Sequence, residues 1–189
     1  MCLTRHSPGF GRQAFVGLQS PYGAVTLGRQ YDLVTDYVDI YEAGSQWGGY
    51  IAAHPGDIDN LNNSNRVNNA VKYTSPTSRG LTFGGFYSFG GAAGDFTRNQ
   101  LYSFGIGYSN GPLSLGAGYL YARNPNQSYF GSTPSSSAVN NNMTATPVYS
   151  GYASASNEKL AAAGGAYTFG AATVGAVWSY IAFGAIVGR

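Results

Sequence analysis

Apolar and polar residues alternate one by one along several stretches of this chain. In 101–109, Tyr102, Phe104, Ile106 and Tyr108 share one face, and Ser103, Gly105, Gly107 and Ser109 share the other. In 113–121, Leu113, Leu115, Ala117, Tyr119 and Tyr121 oppose Ser114, Gly116 and Gly118. Leu81, Phe83, Tyr87 and Phe89 oppose Thr82, Gly84 and Ser88, and Val174, Ala176, Trp178 and Tyr180 line one face further on. Such alternation is the signature of a strand with two unlike faces. It predicts eight strands, near 12–19, 23–30, 68–75, 80–88, 99–109, 112–122, 158–169 and 172–182. Periodicity alone does not separate a soluble sandwich, which buries its apolar face, from a barrel in lipid, which turns that face outward.

The connections add a second regularity. Short ones at 19–22, 75–80, 109–112 and 169–171 alternate with longer ones at 31–67, 89–98 and 123–157. Asn110-Gly111 is a strong hairpin signal. Short turns at one rim and long loops at the other characterise outer-membrane barrels, and long structureless loops count against a compact soluble domain. Aromatic residues gather near strand ends: Tyr73, Tyr87, Phe89, Tyr108, Tyr119, Tyr121, Tyr167 and Phe169. They suit interfacial girdles and equally the ordinary preference of strands for aromatics. One stretch offers an alternative. From 160 to 188 there is no charged residue, so 171–188 is long enough for a transmembrane helix, with Gly184 and Gly188 in a small-residue pair.

Composition narrows the class. Only 10% of the 189 residues are charged, hydrophobic residues make up 43%, and there are 28 glycines and 16 tyrosines. About a quarter of the residues in a typical soluble domain are charged. Low charge without high hydrophobicity fits a membrane barrel, whose faces average out. The net charge of +2, with scattered basic residues, gives no nucleic-acid footprint. Cys2 is the sole cysteine and His6 and His54 the sole histidines, so no disulfide framework or metal site is expected. The N-terminal residues lack the apolar region of a signal peptide. For an exported protein the expectation is that the true start is missing.

Six of the eight acidic residues fall between 31 and 65: Asp32, Asp36, Asp39, Glu42, Asp57 and Asp59. Arg12 and Arg29 precede that segment, and Arg66 and Lys72 follow it. Parity sets Lys72 with Ala70 and Thr74, opposite Val71 and Tyr73, and carried backward it places Arg66 on the Lys72 side. An acidic loop facing basic wall residues would set up a transverse field in an aqueous passage; the alternative is a solvated surface loop. Arg29 shares parity with Val25 and Leu27. Because a bare arginine in lipid is costly, it belongs near a rim or in a subunit interface.

At these residues a family becomes recognisable. Residues 11–18 (GRQAFVGL), 22–32 (YGAVTLGRQYD) and 65–75 (NRVNNAVKYTS) resemble general diffusion porins of Gram-negative bacteria, most closely the β-proteobacterial type, and 109–114 continue the likeness. The resemblance spans roughly 10–180. It implies an all-β fold, an antiparallel transmembrane β-barrel, with this chain an internal portion of a sixteen-stranded barrel holding about eight strands. It implies one barrel domain over 1–189, with 31–67 as an inward-folded constriction loop. Arg12, Arg66 and Lys72 would form the basic side of the constriction, and Asp36, Asp39, Glu42 and Gln46 the loop side. Gln46 stands where the family often has Glu, so cation selectivity does not carry over. Arg29 would lie at the interface of a homotrimer. The implied partners are outer-membrane lipids, lipopolysaccharide, ions and small hydrophilic solutes. The implied location is the outer membrane.

No nucleophile elbow, phosphate loop, metal cluster or paired-carboxylate signature is present, so the expectation is a passive channel that is not an enzyme and carries no cofactor. The alternatives are a small closed eight-stranded barrel with a structural or adhesion role and a soluble β-rich binding module. As an isolated half barrel, the chain would expose two unpaired edges, which lipid does not tolerate. Stable insertion as a monomer is therefore not expected.

Overall fold

The computed structural model describes residues 12–91, 93–132 and 150–185. Cys2, His6, Gly188 and the terminal segments 1–11 and 186–189 lie outside the described residues. Eight strands form where the alternation predicts them: β1 Ala14–Ser20, β2 Gly23–Gln30, β3 Val67–Thr74, β4 Leu81–Ser88, β5 Leu101–Asn110, β6 Leu113–Arg123, β7 Asn157–Phe169 and β8 Ala172–Gly184. The stretch considered as a transmembrane helix is β8. It pairs with β7 residue by residue, from Asn157↔Gly184 to Phe169↔Ala172. Its Thr, Val, Trp and Tyr side chains suit a pleated surface, and no described helix is long and apolar enough to cross a membrane.

Each strand is antiparallel to the next, in the order β1-β2-β3-β4-β5-β6-β7-β8. Tight turns join them at one rim. Between Ser78 and Leu81, Arg79 and Gly80 both take positive φ (51° and 82°), as a two-residue hairpin whose twist matches its strands requires.

The sequence reading of an antiparallel transmembrane β-barrel is corrected here. The sheet is open: β1 and β8 are its two edges and do not pair with each other. All seven residues of β1 are exposed. The reason is one of volume. Eight strands closed on themselves leave an interior wide enough only for side chains. Here the concave side holds the whole connection between Gln30 and Val67, with a helix of its own, α1 (Leu33–Val38). The edge pairing that decides closure has no local sequence pattern.

The core lies on that concave side. Leu33, Val34, Val38, Tyr41 and Leu61 of the connection pack with Phe86, Leu101, Leu120 and Leu160 of the strands. Tyr129 and Phe130, just after a one-turn helix α2 (Pro125–Ser128), complete the cluster. The convex side remains bare. Val16, Leu18, Leu27, Phe83, Phe104, Ile106, Leu115, Val174, Trp178 and Tyr180 are all exposed. An apolar surface of that extent marks an interaction with lipid or another protein, not with water.

Candidate functional site: a connection folded onto the concave face

The connection between β2 and β3 turns inward at Asp32. This buried carboxylate caps α1, accepting from the backbone of Val34 (2.8 Å) and Thr35 (3.2 Å). Its other oxygen accepts from the hydroxyls of Thr35 (3.1 Å) and Tyr129 (2.9 Å) and the amide of Asn60 (3.2 Å). Donors converging on one carboxylate offset the cost of taking it out of water.

The wall is hollowed to receive the helix. A Cβ on Gly105 or Gly107 would overlap the Tyr37 ring, one on Gly116 the Tyr37 carbonyl, and one on Gly164 the Tyr41 ring. A Cβ on Gly118 would come within 3.0 Å of Val34 Cα. The small residues that alternate along β5, β6 and β7 are therefore a bed for the connection. Polar groups pin it: Leu33 N donates to Ser103 Oγ (3.0 Å), Tyr41 and Ser114 share a hydroxyl bond (2.6 Å), and Ser179 Oγ donates to Asp59 (2.6 Å).

A charged strip runs along the open side. Arg12 Nε and Arg66 Nε both donate to the Tyr31 hydroxyl, at 3.1 and 3.0 Å. Arg66 also lies over the Tyr31 ring, 5.2 Å from its centroid. Lys72 Nζ donates to the Tyr31 carbonyl (3.0 Å) and to Asp36 (2.6 Å). Asp39 follows along the connection, half-buried, and its pKa is raised to about 7 by burial and by the charges of Asp36 and Asp32. Burial likewise raises the Asp36 pKa, against the pull of Lys72. Below the helix, toward the tight-turn rim, a cavity of about 460 Å³ is lined by Asp36, Tyr37, Tyr41, Thr82 and Ser114 among others.

The remaining acids point elsewhere. Asp57 accepts from the backbone of Asn62 (2.8 Å) and Ser64 (3.0 Å), and burial raises its pKa. Asp59 contacts His54 Nδ1 at 2.5 Å. Burial opposes protonation of His54, but Asp59, Glu42 and Asp57 outweigh it and raise the pKa. Glu42 is buried, with one oxygen accepting from His54 N at 3.3 Å, and burial raises its pKa. Gln46 is exposed and folds back onto the Ile40 carbonyl (2.6 Å).

Of the residues singled out by sequence, the structure thus brings Arg12, Arg66, Lys72 and Asp36 together, with Asp39 beside them. Glu42 and Gln46 do not join that strip. Arg29 donates to Asn68 at 2.6 Å. The parity used for Arg66 does not run straight. Asn69 takes positive φ (53°), and Val67 and Ala70 are both buried. Arg66 reaches the strip from the end of the connection instead. Tyr31, which links three of the cations, was not anticipated; its position just after β2, between Gln30 and Asp32, was the only sequence signal. Among the described residues no cluster of His, Cys, Asp and Glu could hold a metal ion.

Comparison with known proteins fits this arrangement. A family model described as Gram-negative porin matches residues 4–185. An outer membrane porin protein of Bordetella pertussis is 32% identical over 125 residues, which are 58% of this chain and 31% of that protein. The solved structure of an anion-selective porin from Comamonas acidovorans superposes with a TM-score of 0.64 at 20% identity. That match covers 92% of this chain and 47% of the solved one, and it speaks for the fold alone. The chain thus spans about half or less of the length of these relatives.

Proposed function

This chain belongs to the Gram-negative porin family, and from that premise we propose that it works in the outer membrane, its concave face bordering an aqueous path for ions and small hydrophilic solutes. The observation that carries the reading is the strip of Arg12, Arg66, Lys72, Asp36 and Asp39 on the open side of the concave face, opposite a convex face that bares large apolar side chains from β1 to β8. Charges of both signs along a narrow path order water and favour dipolar solutes. In this reading the segment 31–67 constricts the path. Glu42 and Gln46 act from within the connection by holding its shape, and Arg29 lies at a subunit interface of a homotrimer. Surrounding lipids and lipopolysaccharide cover the convex face. The chemistry is passive diffusion, without catalysis or a cofactor.

A second reading, a non-conducting structural or adhesion protein of the outer membrane, draws support from the open sheet. With β1 and β8 unpaired, the chain by itself encloses no path, and for the chain alone this is the better-supported reading. Conduction requires further wall, from other copies or other polypeptide. Single-channel recording in a planar bilayer under a salt gradient separates the two. Stable steps, with a reversal potential altered in Lys72→Gln, support the diffusion path. A silent membrane containing folded, inserted protein supports the structural role.

A further inference from the structure

The cavity between the connection and the tight-turn rim has a lining that the charged strip does not use. Tyr37 and Ile40 reach it from the connection, and Thr82, Ser109 and Ser114 reach it from the wall. Register gathers the three wall hydroxyls on one patch. Ser109 is opposite Ser114, and Thr82 is opposite Gly107, two residues before Ser109. Directly paired residues lie roughly 4.5–5.5 Å apart and diagonal ones roughly 7–8 Å. The three hydroxyls therefore surround a space about one sugar ring across.

Each wall hydroxyl has bonding capacity left. Ser109 is held by its backbone, which donates to the Gly80 carbonyl at 2.9 Å, and its side chain is exposed. Thr82 Oγ1 donates to the Gly107 carbonyl at 3.4 Å, long for such a bond. Ser114 Oγ shares one bond with the Tyr41 hydroxyl (2.6 Å), and a serine hydroxyl can take part in three. Among the described residues lining the cavity, Asp36 alone is charged. Lys72 holds its Oδ2 at 2.6 Å, so the charge is matched within the protein while Oδ1 remains an acceptor. A site already neutralised in this way offers little to a bare ion. Hydroxyls both donate and accept, so the lining suits a solute that does the same. Tyr37 and Ile40 add apolar surface for C–H groups. The volume of about 460 Å³ falls within the span of small-molecule sites, roughly 300–1,000 Å³.

We propose that this cavity is a subsite for an uncharged polyol of the size of a single sugar ring. The hydroxyls of Thr82, Ser109 and Ser114 and the Oδ1 atom of Asp36 hold its hydroxyl groups, and its C–H face lies toward Tyr37 and Ile40. The charged strip acts on dipoles along the open side, whereas this pocket reads the number and spacing of hydroxyls. The inference rests on the aqueous-path reading above and names one solute class for it.

The test is saturation-transfer NMR on the full chain folded in a detergent without a sugar headgroup. D-glucose is the probe, and tetramethylammonium and acetate are the charged comparators. Glucose signals receive saturation from the wild-type chain and those of the two ions do not. The double variant Thr82→Val, Ser109→Ala weakens glucose binding by at least about fivefold, the low end for two lost hydrogen bonds. Thr82→Ser retains binding, which separates loss of a hydroxyl from loss of the fold. Absence of saturation in the wild type, or equal saturation in the wild type and the double variant, overturns the proposal. So does saturation of tetramethylammonium in preference to glucose, which would make this an organic-cation site built on Asp36. The readout needs no conductance. Selective glucose binding by a protein that is silent in a bilayer sinks the diffusion path and leaves the subsite standing, and a conducting protein that ignores glucose sinks the subsite alone.

Discussion

The Tyr129 hydroxyl donates to Asp32 Oδ2 at 2.9 Å, fastening the connection after β6 to the helix cap of the connection after β2. Both side chains are fully buried, so the bond runs between groups with no water to replace it. Tyr129→Phe should cost about 1.5–3 kcal/mol, the range for a hydrogen bond to a buried charged acceptor. Hydrogen exchange of the amides in Leu33–Val38 is the direct measurement. Unchanged exchange in the variant would mean that the tie contributes nothing. Burial, and then the Asp32 charge, raise the Tyr129 pKa well above its ordinary 10.0. The hydroxyl thus remains a donor at all ordinary pH values. Its deprotonated form is favoured in the unfolded chain, so this one group costs the fold stability only as pH rises above about 10.

The hollowed wall makes a prediction by contrast. Gly116→Ala places a methyl group against the Tyr37 carbonyl and within 2.9 Å of Tyr41 Cε2. Overpacking of that kind costs about 1–3 kcal/mol. Gly85→Ala, on the open convex side, should shift stability by no more than about 0.5 kcal/mol. Urea unfolding of the two variants in detergent compares them, and equal midpoints would refute the bed as described.

Lys72 and Asp36 should show a small but measurable coupling. Their contact is 2.6 Å, with side chains 13% and 34% exposed. Partial exposure limits the pair to about 0.5–1 kcal/mol. A double-mutant cycle with Lys72→Gln and Asp36→Asn reads that coupling. A value at zero would assign the anchoring of Lys72 to the Tyr31 carbonyl alone.

Asp39 gives the connection a pH dependence near neutrality. Its pKa rises from 3.8 to about 7 on folding. The folded state thus holds a proton that the unfolded chain has released. The contribution of Asp39 to docking is strongest below 3.8, weakens as pH climbs toward 7, and is flat above. Limited proteolysis of 31–65 at pH 5.5 and 8.5 should show faster cutting at the higher pH. Asp39→Asn should abolish the difference attributable to this group.

Trp178 reports on what covers the convex face. It is 59% exposed on β8. With Trp47→Phe removing the other tryptophan, brominated acyl chains in a reconstituted bilayer should quench the remaining fluorescence. Quenching by aqueous iodide instead would place that face in water and remove the membrane reading.

The strands were legible because alternation is written locally, as at Tyr102, Phe104 and Ile106 against Ser103, Gly105 and Gly107. The inward connection was legible as an acidic segment, but its interior was not. Charge alone does not reveal that Asp32, Asp57, Asp59 and Glu42 commit their carboxylates to backbone, amide and hydroxyl donors inside the connection and on the wall. It likewise does not reveal that Tyr31 gathers Arg12, Arg66 and Lys72 around one phenol and one carbonyl. Those contacts cross 19 to 41 positions of sequence. The bulge at Asn69 broke a parity argument that assumed a straight strand. Closure was misread because no residue of β1 or β8 encodes its own partner.

The glycine bed has a consequence for how this architecture can vary. The ring of Tyr37 sits where Gly105 and Gly107 have no side chains, and that of Tyr41 fits against Gly116 and Gly164. Connection and wall are cut to each other like a key and its wards. A connection transplanted from a relative will seat only if the recipient strands carry matching gaps. Size-altering changes at Tyr37 or Tyr41 can persist only alongside changes on β5, β6 or β7. This connection is inherited together with its wall.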